Sequence, residues 1–306
     1  MMNNGWQTTI ARNVTCSGVG VHTGEVVSLR IMPAEADTGI VFKRTDVAED
    51  VSWVPAAYDA VSETTLGTTI ENVHGTKVAT IEHLMAALWG CGVDNAIIEL
   101  DGPEVPIMDG SSEPFVFLIE CVGTETLDAP RVLVEVLRDV EVKQGELYAK
   151  LSPADQFALD ITIEFDHAMI GTQRAYYDFS TTSFKQALCR ARTFGFASEV
   201  EKLRQMGLAR GGSLSNAVVL NGDKILNQEG LRYNDEFVRH KALDCVGDYF
   251  LAGCHIMGAV ETVRPGHGIN NQLMRALFAD KANYRLVRAV PTAQAEMAAA
   301  EVAAVA

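Results

Sequence analysis

Residues 237–263, FVRHKALDCVGDYFLAGCHIMGAVETV, decide the fold because they repeat a plan already present at residues 80–100, TIEHLMAALWGCGVDNAIIEL. Each stretch reads as a helix, a glycine break and then a strand, with a histidine early in the helix: His83 in the first, His240 in the second. In the second helix Val238, Ala242, Val246, Tyr249 and Phe250 recur at helical spacing and form an apolar stripe. A second echo lies upstream of each. GEVVSLRIMPA starts at Gly24 and GELYAKLSPA at Gly145, each running Gly-Glu, a strand-like stretch, then Pro-Ala. A shared plan offset by about half the chain is the mark of internal duplication.

The predicted fold class is therefore α+β, with two similar domains in which strands come first and helices mostly follow. The boundaries expected are residues 1–126 and 127–288, joined near GTETLDAPRV at 123–132, where Pro130 and local polarity suit a linker. The alanine-rich tail, 289–306, has little to pack with and is expected to fray or be disordered, with no chemistry.

Composition narrows the function. The formal net charge is −15 and no long basic run occurs, which argues against nucleic acid or an anionic membrane surface as the main partner. A phosphorylated substrate would require a local basic pocket. The opening MMNNGWQTTIARNV lacks the apolar core of a signal peptide, and no stretch approaches the ~18 apolar residues of a membrane span. Six cysteines without a C-x-x-C pair read as scattered small apolar residues of a reducing compartment. A soluble, cytoplasmic, monomeric protein is expected.

The helical stretch at 236–253 carries His240, Lys241, Asp244 and Asp248 beside its apolar stripe. Burying charge is costly unless the charge is paired or bound to metal. His240 and Asp244, at i and i+4, share one face and suit a divalent ion, although a solvated or capped pair has the same spacing. His83 follows Glu82, so His83 can bind a metal while Glu82 serves a water there. An exposed helix start, capped by Thr80 and favoured by the dipole, explains Glu82 equally well. His267, in RPGHGINN, sits in a glycine-flanked turn that suits either catalysis or an ordinary loop. His22, in a glycine-rich hairpin, is not favoured as a ligand, His74 in NVHGTK reads as a surface turn, and His167 and His255 have no partner pattern. His83, His240 and Asp244 as ligands would leave a fourth position open, as catalytic sites do.

TIEHLMAAL, PIMDGSSEPF, ARTFGF, GGSLSNAVV, DEFVRHKALDCVGD and GHGINN, in this order, resemble the zinc-dependent UDP-3-O-acyl-N-acetylglucosamine deacetylases of lipid A biosynthesis in Gram-negative bacteria, over about residues 6–285. The resemblance implies two layered sandwiches of a sheet and helices facing each other across the active site, with small inserts closing the cleft. It implies removal of acetate from an acylated UDP-sugar. Carried over, the metal ligands are His83, His240 and Asp244, the general base is Glu82 and the catalytic histidine is His267. Thr193 would contact the oxyanion, Phe194 is the neighbouring ring, Lys241 follows the second ligand and Asp248 partners His267. The cofactor implied is Zn²⁺, with Fe²⁺ as a chemically reasonable substitute.

Substrate contacts are expected from Leu66, Phe194, Phe196 and Lys143. An acyl passage is expected along residues 191–212, with Leu203, Met206 and Leu208; ordinary helix packing gives the same pattern. Many members carry a lysine where this chain has Leu147; strict alternation gives Lys143, not Lys150, the facing of residue 147. Two other function classes remain open: a metal-dependent amidohydrolase of another acylated amine, and a non-catalytic, metal-stabilised binding domain. Intact Glu82 and His267 favour catalysis.

Overall fold

The computed structural model describes residues 5–289. Two five-stranded sheets dominate. The first runs, edge to edge, Val14–Val19, Val26–Met32, Ala96–Leu100, Ile40–Arg44, Trp53–Pro55. The second runs Val140–Gln144, Leu147–Ser152, Ala259–Val263, Ala158–Glu164, Thr172–Asp178. In each sheet the third and fourth strands pair parallel and every other neighbour pairs antiparallel. The two halves thus share one strand order and one set of directions, as the paired sequence echoes predict. The α+β class holds.

Six α-helices lie among the described residues: α1 (Glu82–Cys91), α2 (Glu113–Val122), α3 (Phe184–Ala187), α4 (Ala197–Gln205), α5 (Glu236–Phe250) and α6 (His267–Ala279). The apolar stripe of α5 is buried throughout, and α1 packs directly against α5. Gly247 permits their close approach: a Cβ there would lie 2.1 Å from the carbonyl oxygen of Glu82. Alanine would help an isolated helix by roughly 0.5–1 kcal/mol. Here the clash is with backbone, and overpacking of this kind costs about 1–3 kcal/mol. Gly247→Ala is therefore expected to lower the thermal unfolding midpoint and, by separating α1 from α5, to weaken metal binding. A midpoint and metal content equal to wild type would show that the helices can separate freely.

Three small three-stranded sheets accompany the two large ones: Val132–Val136 pairs with His255–Met257 and Tyr284–Arg288 in the second half, and each half carries one more. In the first half it is formed by Val61–Glu63, Thr69–Glu71 and Lys77–Val78; in the second by Phe194–Phe196, Val218–Asn221 and Lys224–Ile225, with α4 between its first two strands. These correspond to the small inserts that the family resemblance implies.

Several local expectations differ from the structure. Residues expected as a linker form a strand, Thr124–Pro130, paired antiparallel with Trp6–Ile10; Pro130 sits at its end, where a missing N–H costs least. Thr80 does not cap α1. Ile81 takes the N-cap position, and Thr80, at φ +58°, donates its hydroxyl to buried Glu104 at 2.9 Å. His267 is the first residue of α6, with Gly266 as N-cap, and not part of an open turn. The alanine-rich tail beyond residue 289 lies outside the described residues.

Candidate active site

The facing surfaces of α1 and α5 bring His83, His240 and Asp244 together, all buried, with one potential ligand atom from each lying within 4.8 Å of the others. Asp244 Oδ1 is 3.3 Å from His240 Nε2 and 3.6 Å from His83 Nε2. The His240 Nδ1–H donates to the Ala191 carbonyl at 3.1 Å, which leaves Nε2 free to face the cluster. Lys241 donates to the other carboxylate oxygen, Asp244 Oδ2, at 2.9 Å. Asp244 Oδ1 and His83 Nδ1 are buried without a hydrogen-bond partner among the described residues. An unpartnered carboxylate oxygen between two imidazoles is costly alone and is what a divalent cation would satisfy. The donor set therefore fits a metal.

The electrostatics agree. Burial pushes His240 down to about 4, so it is neutral and ready to ligate. Burial opposes ionisation of Asp244, yet the neighbouring His240 and Lys241 hold its carboxyl well below the usual range. For Lys241, burial works against the charge and the Asp244 carboxylate outweighs it, so its pKa is raised.

Beside the cluster lies a pair suited to proton transfer. Glu82 is buried at the start of α1, not exposed, and its carboxyl is raised by desolvation against the lowering effect of His267 and His83. Its Oε2 accepts the Thr68 N–H at 3.0 Å, and its Oε1 lies 3.9 Å from His267 Nε2. His267 Nδ1–H donates to Asp248 Oδ2 at 2.9 Å. Burial disfavours the imidazolium, but the charges of Asp248 and Glu82 win and lift His267 to about 9. Asp248 also accepts from Asn270 Nδ2 at 2.8 Å and from the Thr68 hydroxyl at 2.6 Å.

These groups border one cavity of about 950 Å³. Glu82, His83, His240, Lys241, Asp244 and His267 line it, and so do Leu66, Thr193, Phe194 and Phe196. Phe194 packs on Phe237, with ring centroids 4.9 Å apart, and stands near His240. Thr193 is held by its neighbours: its N–H donates to the Gly110 carbonyl at 2.8 Å, and its carbonyl accepts the Val218 N–H at 2.8 Å. Gly110, at φ +85°, admits the Asn216 carbonyl where a Cβ would approach it to 2.1 Å. Arg192 next door forms a buried ion pair with Glu236 of α5 at 2.9 Å.

Two expectations about the cavity wall need correction. Lys143 does not line it. Residues Gly145 and Glu146 form a two-residue hairpin that pairs Gln144 with Leu147 and Lys143 with Tyr148. Directly paired residues share a face, so Gln144 has the facing of Leu147 and Lys143 has the opposite one. Gln144 and Leu147 are the lining residues. Lys150 pairs instead with Asp139 at 2.6 Å. Of the five apolar residues expected along the passage, Phe194, Phe196 and Leu203 line the cavity; Met206 and Leu208 do not, and Leu214, Val219 and Leu226 take part instead.

Residue-by-residue reading missed Thr68, Asn270 and the close backbone approach at Gly110, because their partners are remote in sequence. It also set aside His22, which lines the cavity. His22 Nδ1 accepts the Ala209 N–H at 3.4 Å, and Nε2–H donates to the Leu66 carbonyl at 3.3 Å, so this ring bridges the two inserts.

The model of one protein family, UDP-3-O-acyl N-acetylglycosamine deacetylase, matches residues 7–279. A UDP-3-O-acyl-N-acetylglucosamine deacetylase of Phenylobacterium zucineum (strain HLK1) is 51% identical over 274 residues, covering 90% of this chain and 94% of that protein. A protein of the same name from Shewanella frigidimarina (strain NCIMB 400) is 48% identical over 284 residues, covering 92% of each. With a match that spans both halves and every element lining the cavity, the chain belongs to the UDP-3-O-acyl N-acetylglycosamine deacetylase family.

Proposed function

We propose that this enzyme is a zinc-dependent deacetylase that hydrolyses the N-acetyl group of a UDP-3-O-acyl-N-acetylglucosamine. The products are UDP-3-O-acyl-glucosamine and acetate, and the step is the committed one of lipid A biosynthesis. The observation that carries the reading is the meeting of a His-His-Asp cluster, a buried carboxylate and a buried histidine on the wall of a largely apolar cavity. Fe²⁺ suits the same donors. The common topology of the two sheets supports an internal duplication with domains at 1–126 and 127–288. A monomer in the cytoplasm is consistent with this reading, and no described helix is long and apolar enough to cross a membrane.

An amide resists hydrolysis because its carbonyl is a weak electrophile and its amine a poor leaving group. His83, His240 and Asp244 would hold a divalent ion, which would supply Lewis acidity towards the water and the carbonyl. Glu82, fixed through Oε2 by the Thr68 N–H, presents Oε1 to take the proton of the attacking water. Thr193, which immediately precedes the strand Phe194–Phe196 and is anchored by backbone hydrogen bonds to Gly110 and Val218, supplies its hydroxyl to the oxyanion. His267, kept cationic by Asp248, gives its Nε2 proton to the departing sugar nitrogen. Leu66, Phe194 and Phe196 provide apolar surface for the acyl chain. Lys241 and Arg204 are basic groups at the cavity wall, and Lys241 is already engaged by Asp244.

The test is acetate release from the 3-O-acylated nucleotide sugar and from its non-acylated counterpart. The acylated substrate is expected to have the higher kcat/KM by at least 10-fold, since burying even two methylenes is worth about 1.6 kcal/mol. Equal values for the two would remove the acyl chain from the reading and favour another acylated amine as substrate.

A further inference from the structure

Glu82 and Asp248 belong to different helices, α1 and α5, and one buried residue touches both. Thr68, 2% exposed, donates its N–H to Glu82 Oε2 at 3.0 Å and its hydroxyl to Asp248 Oδ1 at 2.6 Å. Its carbonyl accepts the N–H of Ile81, the N-cap of α1, at 3.3 Å. Its backbone thus brackets the first turn of α1 while its side chain reaches α5.

Asp248 is held by donors on both oxygens. Oδ2 takes His267 Nδ1–H at 2.9 Å and Asn270 Nδ2 at 2.8 Å, and Oδ1 takes the Thr68 hydroxyl. Asn270 is itself oriented by the Tyr249 hydroxyl, which donates to its Oδ1 at 3.1 Å. Resting on the proposed deacetylation, we propose that Thr68 is a positioning residue for that reaction: its hydroxyl fixes the Asp248 carboxylate plane, so that His267 aims Nε2 at the reacting amide. A short hydroxyl-to-carboxylate bond is charge-assisted and directional. Without it, Asp248 Oδ1 becomes a buried anionic oxygen lacking its donor, and the carboxylate rotates to find another. That rotation takes Oδ2, and with it the His267 ring, out of line.

Thr68→Val keeps the side-chain shape and the N–H bond to Glu82 and deletes only the hydroxyl. Thr68→Ser keeps the hydroxyl and deletes a methyl. Both are compared with wild type for kcat, KM, zinc content and thermal midpoint. The expected result is a kcat for Thr68→Val lowered about 10- to 100-fold, with KM within about twofold and full zinc occupancy. Thr68→Ser should recover kcat to within about threefold of wild type despite its lost methyl packing. A merely structural threonine predicts the reverse: the two variants lose thermal stability while kcat per zinc-loaded protein stays at wild type. That result overturns the inference, as does a Thr68→Ser kcat as low as that of Thr68→Val. If valine prevents folding, Thr68→Ala carries the same expectation for kcat. Wild-type protein that releases no acetate would overturn the proposed function and this inference with it. An active wild type with an unchanged kcat in Thr68→Val overturns this inference alone.

Discussion

Replacing Glu82 by glutamine is expected to lower kcat/KM by about 10²–10⁴-fold while leaving the metal content unchanged. The amide oxygen still accepts the Thr68 N–H, so the side chain stays in place, but it cannot take a proton from water. Glu82 is not one of the three clustered ligands, so metal binding is spared. The pH profile gives the sharper readout. A proton acceptor must be ionised, and burial raises the pKa of Glu82, so the wild-type rate falls as pH drops through that raised value. A proton donor must be charged, and His267 is lifted to about 9 by Asp248 and Glu82 against burial, so the rate falls again as pH rises through that region. The two groups are 3.9 Å apart, and the limbs therefore belong to the pair. Glu82→Gln should lose the acidic limb. A glutamine variant with a wild-type rate and a complete bell would assign the proton acceptor elsewhere.

The second large effect separates ligand from acid. His240→Ala is expected to lose the metal and nearly all activity, whereas His267→Ala keeps the metal and loses about 10²–10⁴-fold in rate. His240 Nε2 lies 3.3 Å from Asp244 Oδ1, and the ring is locked from behind by the Ala191 carbonyl. Even groups that only orient a ligand are typically worth 10–100-fold in metal affinity, so deletion of a ligand costs more. His267 is tied to Asp248 and faces Glu82, outside the cluster. Metal analysis of both variants decides the matter. A metal-free His267→Ala beside a metal-loaded His240→Ala would mean that ligand and acid have been exchanged.

What could be read from sequence was what repeats or has a local period. The stripe of Val238, Ala242, Val246, Tyr249 and Phe250 follows from helical spacing, and all five are buried. The Gly24 and Gly145 echoes lead to strands at matching positions in two sheets of one topology. His240 and Asp244 were visible as an i, i+4 pair; their meeting with His83 was legible through family resemblance, because no local rule brings α1 to α5. The errors have physical causes. Strand alternation was applied through Gly145 and Glu146, where a hairpin reverses the chain and moves Lys143 to the other face. Pro265 and Gly266 suggested a turn at His267, yet Gly266 ends in the extended geometry of an N-cap and α6 begins at once. Glu82 was open to an exposed reading because its surroundings, among them Thr68 and the backbone beside Gly247, come from elsewhere in the chain. Thr68 gave no signal at all: its hydroxyl partner is 180 residues away.

The central claim is that one metal held by His83, His240 and Asp244 is required for acetate release. The most direct measurement is acetate production from UDP-3-O-acyl-N-acetylglucosamine by the purified protein as isolated, after chelation to verified metal absence, and after return of one equivalent of Zn²⁺. The account predicts release by the isolated protein, its loss on chelation and its recovery at one zinc per chain. Undiminished acetate release by the verified metal-free protein would contradict it.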